Sequence, residues 1–268
     1  MTRIGYGSVL VGWLLSCACA PPADHGLTHI EHEESLASAP AGAPTLAPGL
    51  EPRVTVVTYH DIVAGEKGVW FDTTEREFVG QLEAIAASGG TFVSLQDLDD
   101  RLTKGKELPA ASYLVTFSDG YRGVFERAWP VLRKRSIPFV VFMHTGHVGS
   151  EQGRPKMDWG QLRELDGSGL GRVESQTVSH PEDLTRLDDV ALRGEFLESK
   201  AVLEQELGRP ITALAYPNGK FDERVAAQAR AAGYRLAFTE ELTMAESSPD
   251  LWRIGRFLHS KVPTARGG

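Results

Sequence analysis

Tyr113-Leu114-Val115-Thr116-Phe117-Ser118-Asp119-Gly120-Tyr121 changes character within nine residues. Tyr113 to Phe117 is rich in β-branched and aromatic side chains, the composition of a buried strand, and it stops at a short polar cluster that ends in glycine. A helical stretch from about Gly123 to Arg135 follows. Pro138 to Met143 then returns as a nearly all-apolar run, which predicts a strand buried on both faces. Strand, polar corner, helix and strand make one βαβ unit, and its two strands must lie parallel. In folds built from such units chemistry gathers where the strands end, and that is the position of Ser118 and Asp119.

The same alternation extends in both directions. Val54 to Tyr59 is a β-rich run, and Thr74-Glu75-Arg76-Glu77 is a capping box that opens a helix carrying Phe78, Leu82 and Ile85 on one face and stopping at Gly89-Gly90. Thr91 to Leu95 is the next predicted strand. A long helix over about Asp188 to Leu207 ends at Gly208, Ile211 to Tyr216 is a strand, Asp222 caps an Ala-rich helix closed by Gly233, and Leu236 to Thr239 is one more strand. No sequence repeat accompanies this order. It predicts an α/β fold of some 210 residues, a mostly parallel sheet covered by helices and either doubly wound or closed into a barrel.

The chain has 268 residues, with 28 Lys+Arg against 36 Asp+Glu, a net charge of −8 that gives no electrostatic reason to expect a nucleic-acid partner. At 41% hydrophobic and 24% charged residues, wholesale disorder is excluded. The two cysteines, Cys17 and Cys19, both lie near the N-terminus, so any metal in the body of the chain must be held by His, Asp or Glu. Arg3, the apolar run Ile4 to Leu15 and then Leu14-Leu15-Ser16-Cys17 have the pattern of a bacterial lipoprotein signal, with cleavage leaving Cys17 as the lipidated N-terminus. Secretion with a cut after Ala20 and a retained anchor helix are the alternatives. Pro21 directly after the cut disfavours the first, and an apolar run short of the roughly 20 residues that span a bilayer disfavours the second. All three export the protein, and Ala18 after the cysteine points to the outer membrane, facing the periplasm, in a bacterium with two membranes. The expected organisation is signal peptide 1–16, flexible tether 17–52, domain 53–262 and tail 263–268. His25, His29 and His32 fall in the tether and are expected to be solvated there.

Four polar clusters sit at predicted strand ends: Tyr59-His60-Asp61, Thr116 to Tyr121, Ser175-Gln176-Thr177-Val178-Ser179-His180-Pro181, and Ala215-Tyr216-Pro217-Asn218-Gly219. A single polar group after a strand is commonly a helix cap, and Asp119 or His180 alone would be read that way. Four clusters in succession indicate one site. These residues, with Met157-Asp158-Trp159 and Ala232 to Thr239, resemble the polysaccharide deacetylase family (the NodB-homology domain) over Val54 to about His259, in the family's own order and across about three quarters of the chain. The resemblance implies a distorted (β/α) barrel and metal-dependent removal of acetyl groups from N-acetylated sugars of a polysaccharide or oligosaccharide.

An acetamide is a poor electrophile, so such chemistry calls for a divalent ion, zinc first, to polarise the carbonyl and acidify a bound water, a base to take the water's proton and an acid for the departing amine. By resemblance, Asp119 is the metal-binding Asp, His180 a metal-binding His, and Tyr121, Tyr216, Pro217 and Asn218 belong to the substrate-binding motifs. His60 is a candidate acid, with His259 its rival. Two positions depart from the pattern. Ser118 stands at the base position, where a hydroxyl cannot replace a carboxylate, and Gln176 stands at the first metal histidine, where an amide oxygen is the weaker zinc ligand. Glu174, two residues before Gln176 on an extended segment, is the candidate to supply a carboxylate, and His144 and His147 are placed to approach the same mouth without a family role. Two functional classes therefore stand: an envelope N-deacetylase with impaired, weakly metal-bound chemistry, or a deacetylase-like lipoprotein that binds glycan without turnover.

Overall fold

A computed structural model describes residues 44–262; Cys17, the three tether histidines and the tail lie outside the described residues. The strands are β1 (Val54–Tyr59), β2 (Ile62–Val63), β3 (Thr73–Thr74), β4 (Thr91–Phe92), β5 (Ser112–Phe117), β6 (Phe139–Met143), β7 (Gly171–Ser175), β8 (Ala213–Ala215), β9 (Leu236–Phe238) and β10 (Phe257–Leu258). The main sheet runs β10-β1-β5-β6-β7-β8-β9 with β4 beside β5, and β2 and β3 form a separate pair; every strand pairing is parallel. Helices cover it at Glu75–Ala87, Leu95–Lys104, Trp129–Arg135, Trp159–Gly167, Asp189–Leu207 and Glu223–Ala231. All residues of β1, β5 and β6 are buried, as a sheet covered by side chains on both faces requires.

The two edges of the curled sheet are joined by one short segment. Ile254 bridges Phe238 of β9, and three residues later Phe257 pairs with Val57 of β1. The result is the distorted (β/α) barrel, and the joining segment brings Arg256 into its interior.

Local chemistry explains both the agreements and the differences. Thr74 and Glu77 form the predicted capping box, Asp188 and Asp222 cap their helices, and Gly208 ends the long helix in the left-handed conformation. The predicted strand Thr91 to Leu95 stops at Phe92, because Ser94 and Asp97 close a second capping box that starts an unforeseen helix at Leu95. Asp158 likewise caps an unforeseen helix from Trp159. The predicted tether ends early: Leu46 and Leu50 pack on the core and the Ala47 N–H donates to the Leu102 carbonyl at 2.7 Å, so residues 44–52 are part of the domain.

Candidate active site

The polar clusters converge at the C-terminal ends of the strands. Ser118 and Asp119 follow β5, His144 follows β6, Gln176 follows β7, and His60 follows β1. Among the described residues, four of the five non-glycine residues with positive φ belong to these clusters: Asp119 (70°), Thr177 (69°), His180 (55°) and Asn218 (55°). Left-handed backbone in non-glycine residues is unfavourable and persists where surrounding contacts hold it, commonly at functional sites. Gly120 (φ 62°) is fixed by crowding as well, since a Cβ there would lie 1.9 Å from Met143 Sδ.

Asp119 is the hub. His180 Nε2 lies 3.4 Å from Asp119 Oδ1, and Gln176 Nε2 donates to the same oxygen at 3.0 Å. Gln176 Oε1 accepts the backbone N–H of Asp119 at 2.7 Å, which fixes the orientation of the amide: its oxygen is taken by main chain and its N–H groups face the carboxylate. Burial on its own would raise the Asp119 carboxyl, but His180, His60 and Lys156 outweigh it and hold it well below the usual range. His144 stands beside this group, its ring 5.3 Å from His180 and 4.7 Å from His147, and burial lowers it to about 3. Burial lowers His60 to about 4, and its Nδ1 has no hydrogen-bond partner. Both imidazoles are neutral at pH 7.

Tyr121, 9% exposed, lies under the ammonium of Lys156, whose Nζ is 3.4 Å from the ring centre, and burial together with the Asp119 carboxylate raises its phenol. Burial lowers Lys156 to about 8. On the other wall, Trp70 is 71% exposed with its ring 6.1 Å from His60. Its loop is clasped by Asp72, whose carboxylate accepts the N–H groups of Gly68 and Val69 and is forked by Arg154, which also reaches Asp61 at 2.8 Å. Trp70, Lys156, Arg154 and Arg256 were not legible as site residues; each lies outside the four clusters and is delivered by tertiary folding.

Several expected residues are elsewhere. Tyr216 is fully buried, stacked on Phe221 with its hydroxyl donating to the Trp252 carbonyl, so its side chain is core rather than a substrate contact, and Pro217 is buried beside it. Asn218 is exposed and donates to the Glu182 carbonyl. Glu174 cannot replace the missing base: it is fully buried and its carboxylate is taken by Arg209 and by the N–H groups of Thr212 and Ala213 at the start of β8. His259 stacks on Tyr59 at 5.6 Å and is buried, and it is an electrostatic neighbour of His60 together with Asp119, Arg256 and His180.

The donors as they stand do not fit a three-ligand zinc centre. Among the described residues no group of three or more His, Cys, Asp or Glu is arranged to hold a metal. Asp119 and His180 are two donors, and the third position presents amide N–H groups to the oxygen a cation would need.

Residues 105–237 match the family model for polysaccharide deacetylase. The chain is 27% identical over 214 residues to the poly-β-1,6-N-acetyl-D-glucosamine N-deacetylase of Staphylococcus epidermidis, covering 74% of this chain and 72% of that one. Among solved structures it is similar to IcaB from Ammonifex degensii, with TM-score 0.70, 29% identity and coverage of 80% and 93%. The fold is also that of the Streptococcus pyogenes deacetylase PplD, with TM-score 0.71, 21% identity and coverage of 78% and 93%. By the family match, residues 105–237 carry a polysaccharide deacetylase domain. Its relatives are hydrolases that cut carbon–nitrogen bonds.

Proposed function

We propose that this protein is an envelope N-deacetylase of N-acetylated polysaccharide, of the poly-N-acetylglucosamine type, whose turnover is impaired. The observation that carries the reading is the gathering of Asp119, His180 and neutral His60 at the strand ends, beside the exposed ring of Trp70. An exposed tryptophan offers a flat apolar face to the C–H face of a pyranose. Asp119 stays ionised throughout the physiological range. The family's divalent ion, where bound, would polarise the acetamide carbonyl and acidify water.

The rest is left to the chain's own groups. Ser118 Oγ already accepts from Arg256 at 3.0 Å and is no base, so neutral His60 is the proton acceptor retained beside Asp119. In this scheme a water oxygen bonds to the acetyl carbon and its proton passes to His60. The imidazolium then protonates the amide nitrogen as the C–N bond breaks, releasing acetate and the free amine. An imidazole lowered to about 4 is a weak base, which makes the step slow. Anchoring in the bacterial envelope through lipid on Cys17 is part of the same proposal, supported by Leu14-Leu15-Ser16-Cys17.

A second reading, glycan binding without turnover, is favoured by one feature, the Gln176 amide clasped on Asp119. Acetate release from poly-β-1,6-N-acetylglucosamine by the full chain separates the two. Slow release that disappears in His60→Gln supports the enzyme, while retained binding of the polymer with no acetate supports the binding protein.

A further inference from the structure

Arg256 is 1% exposed and faces no anion at hydrogen-bond range. Its Nε donates to the Thr239 carbonyl at 2.9 Å, and its Nη1 donates to Ser118 Oγ at 3.0 Å and to Thr58 Oγ1 at 3.4 Å. Its guanidinium carbon is 5.4 Å from the centre of the Phe142 ring. Burial lowers Arg256 to about 10, with Glu240 and Asp119 opposing from further off, so it is a cation at neutral pH. A buried cation satisfied only by neutral oxygens is costly, and a carboxylate in contact would remove that cost. The same arginine lines a cavity of about 280 Å³ whose other walls are Thr58, Trp70, Glu240, Leu242, Leu258 and Lys261. That size is just below the range of small-ligand pockets, roughly 300–1,000 Å³, and suits a single sugar or a smaller acid.

We propose that this chamber is a carboxylate-binding site, with Arg256 as the charge partner of the ligand. Two cations against the one carboxylate of Glu240 leave the lining a single net positive charge, matched to a monoanion rather than to a dianion such as phosphate. The flat ring of Trp70 and the side chains of Leu242 and Leu258 suit an apolar face next to that carboxylate. Free acetate and a sugar acid such as a uronate share this chemistry. The site requires no turnover at Asp119 and goes beyond the acetamide reading.

Calorimetry on the full chain at constant ionic strength tests it, with sodium acetate, sodium glucuronate and, as the uncharged control, glucose. The wild type is expected to bind at least one carboxylate and to bind glucose far more weakly. Ser118→Asp places an internal carboxylate 3 Å-scale from the guanidinium, and is expected to weaken ligand binding about thirtyfold or more, the scale of one close charge pair. Ser118→Asn, of the same shape without the charge, is expected to retain most of it, and a thermal midpoint of each variant at or above wild type shows that both are folded. Tighter glucuronate than acetate identifies the acidic sugar as the source, and the reverse identifies the small acid. No carboxylate binding by the wild type, glucose binding equal to glucuronate, or equal losses in both folded variants overturns the proposal.

Discussion

Two arginines are fully enclosed among the described residues, and they are answered differently. Arg101, 2% exposed, meets Glu246 at 3.1 Å, and its other N–H groups reach the carbonyls of Glu51 and Lys106. The second oxygen of Glu246 accepts the N–H groups of Arg53 and Val54 at the start of β1, so both oxygens of this buried carboxylate are satisfied and Arg101 has its opposite charge. Arg256 lies at the other end of the barrel and is met by the hydroxyls of Ser118 and Thr58. Glu174 repeats the first pattern, with Arg209 and two backbone donors around it. Charges that hold the fold are closed, and the open one lies where strands end and ligands enter. Open charge at a binding face, bought with stability, is expected where function rather than packing fixes the residues.

The largest expected effect comes from completing the open end. Ser118→Asp together with Gln176→His supplies a carboxylate base and a third ligand next to Asp119 and His180, and should raise acetate release from an N-acetylglucosamine oligomer by about 10²–10⁴-fold, the usual contribution of a positioned general base. Either change alone should give little of this, since a base without activated water and activated water without a base are both idle. Additive gains would show that the two positions do not act as one unit.

The next effect contrasts the two arginines directly. Arg101→Met strands Glu246 as an unpaired buried carboxylate and should cost about 3–5 kcal/mol, about 10 °C in the thermal midpoint of a domain this size. Arg256→Met removes a charge that has no anionic partner and should leave the midpoint unchanged or higher. Thermal unfolding of the two variants side by side decides it, and equal losses would erase the distinction between closed and open ends.

Acid should act on the open end next. His60 is neutral in the folded protein down to about pH 4, whereas in the unfolded chain it titrates near 6.5. Between those values the unfolded state binds more protons, so the stability this histidine contributes is whole above about pH 6.5 and falls as the pH drops toward 4, by about 3 kcal/mol at most. Urea unfolding from pH 7 to pH 4 should show that slope, reduced in His60→Gln. An unchanged slope in the variant would assign the acid sensitivity to other groups.

Much of the barrel was legible because its signals are local. The apolar runs of β5 and β6, the Thr74 box and the Asp188 and Asp222 caps each carry their structure within a few residues. β7 was implied only by the polar cluster at its end and had no bounds, since Gly-Arg-Val-Glu-Ser shows one aliphatic residue, its Glu174 being matched by Arg209 only once the chain is folded. Asp119, His180 and His60 were visible through motif order, and the structure brings them together. Arg256 and Lys156 were invisible because nothing in their neighbours announces burial: they reach the site through the segment that closes the sheet and through the Tyr121–Lys156 bridge. Tyr216 misled for the converse reason. Its place in a functional motif says nothing of which way the ring points, and it points into the core.

The smallest expected effect isolates Gln176. Its amide oxygen is held by the Asp119 N–H, so rotating the amide to offer that oxygen to a cation would break one hydrogen bond and leave a buried backbone donor unpaired. Zinc at Asp119 and His180 therefore competes with the clasp as well as lacking a third ligand. Gln176→His removes the clasp and adds an imidazole, and should tighten zinc binding by about tenfold or more at pH 7, with proton release where the entering imidazole is partly charged. Titration calorimetry in two buffers of different ionisation enthalpy reads both quantities. Equal affinity in wild type and variant would mean that position 176 does not face the ion, and the third ligand would then have to come from His144, whose ring already lies 5.3 Å from His180.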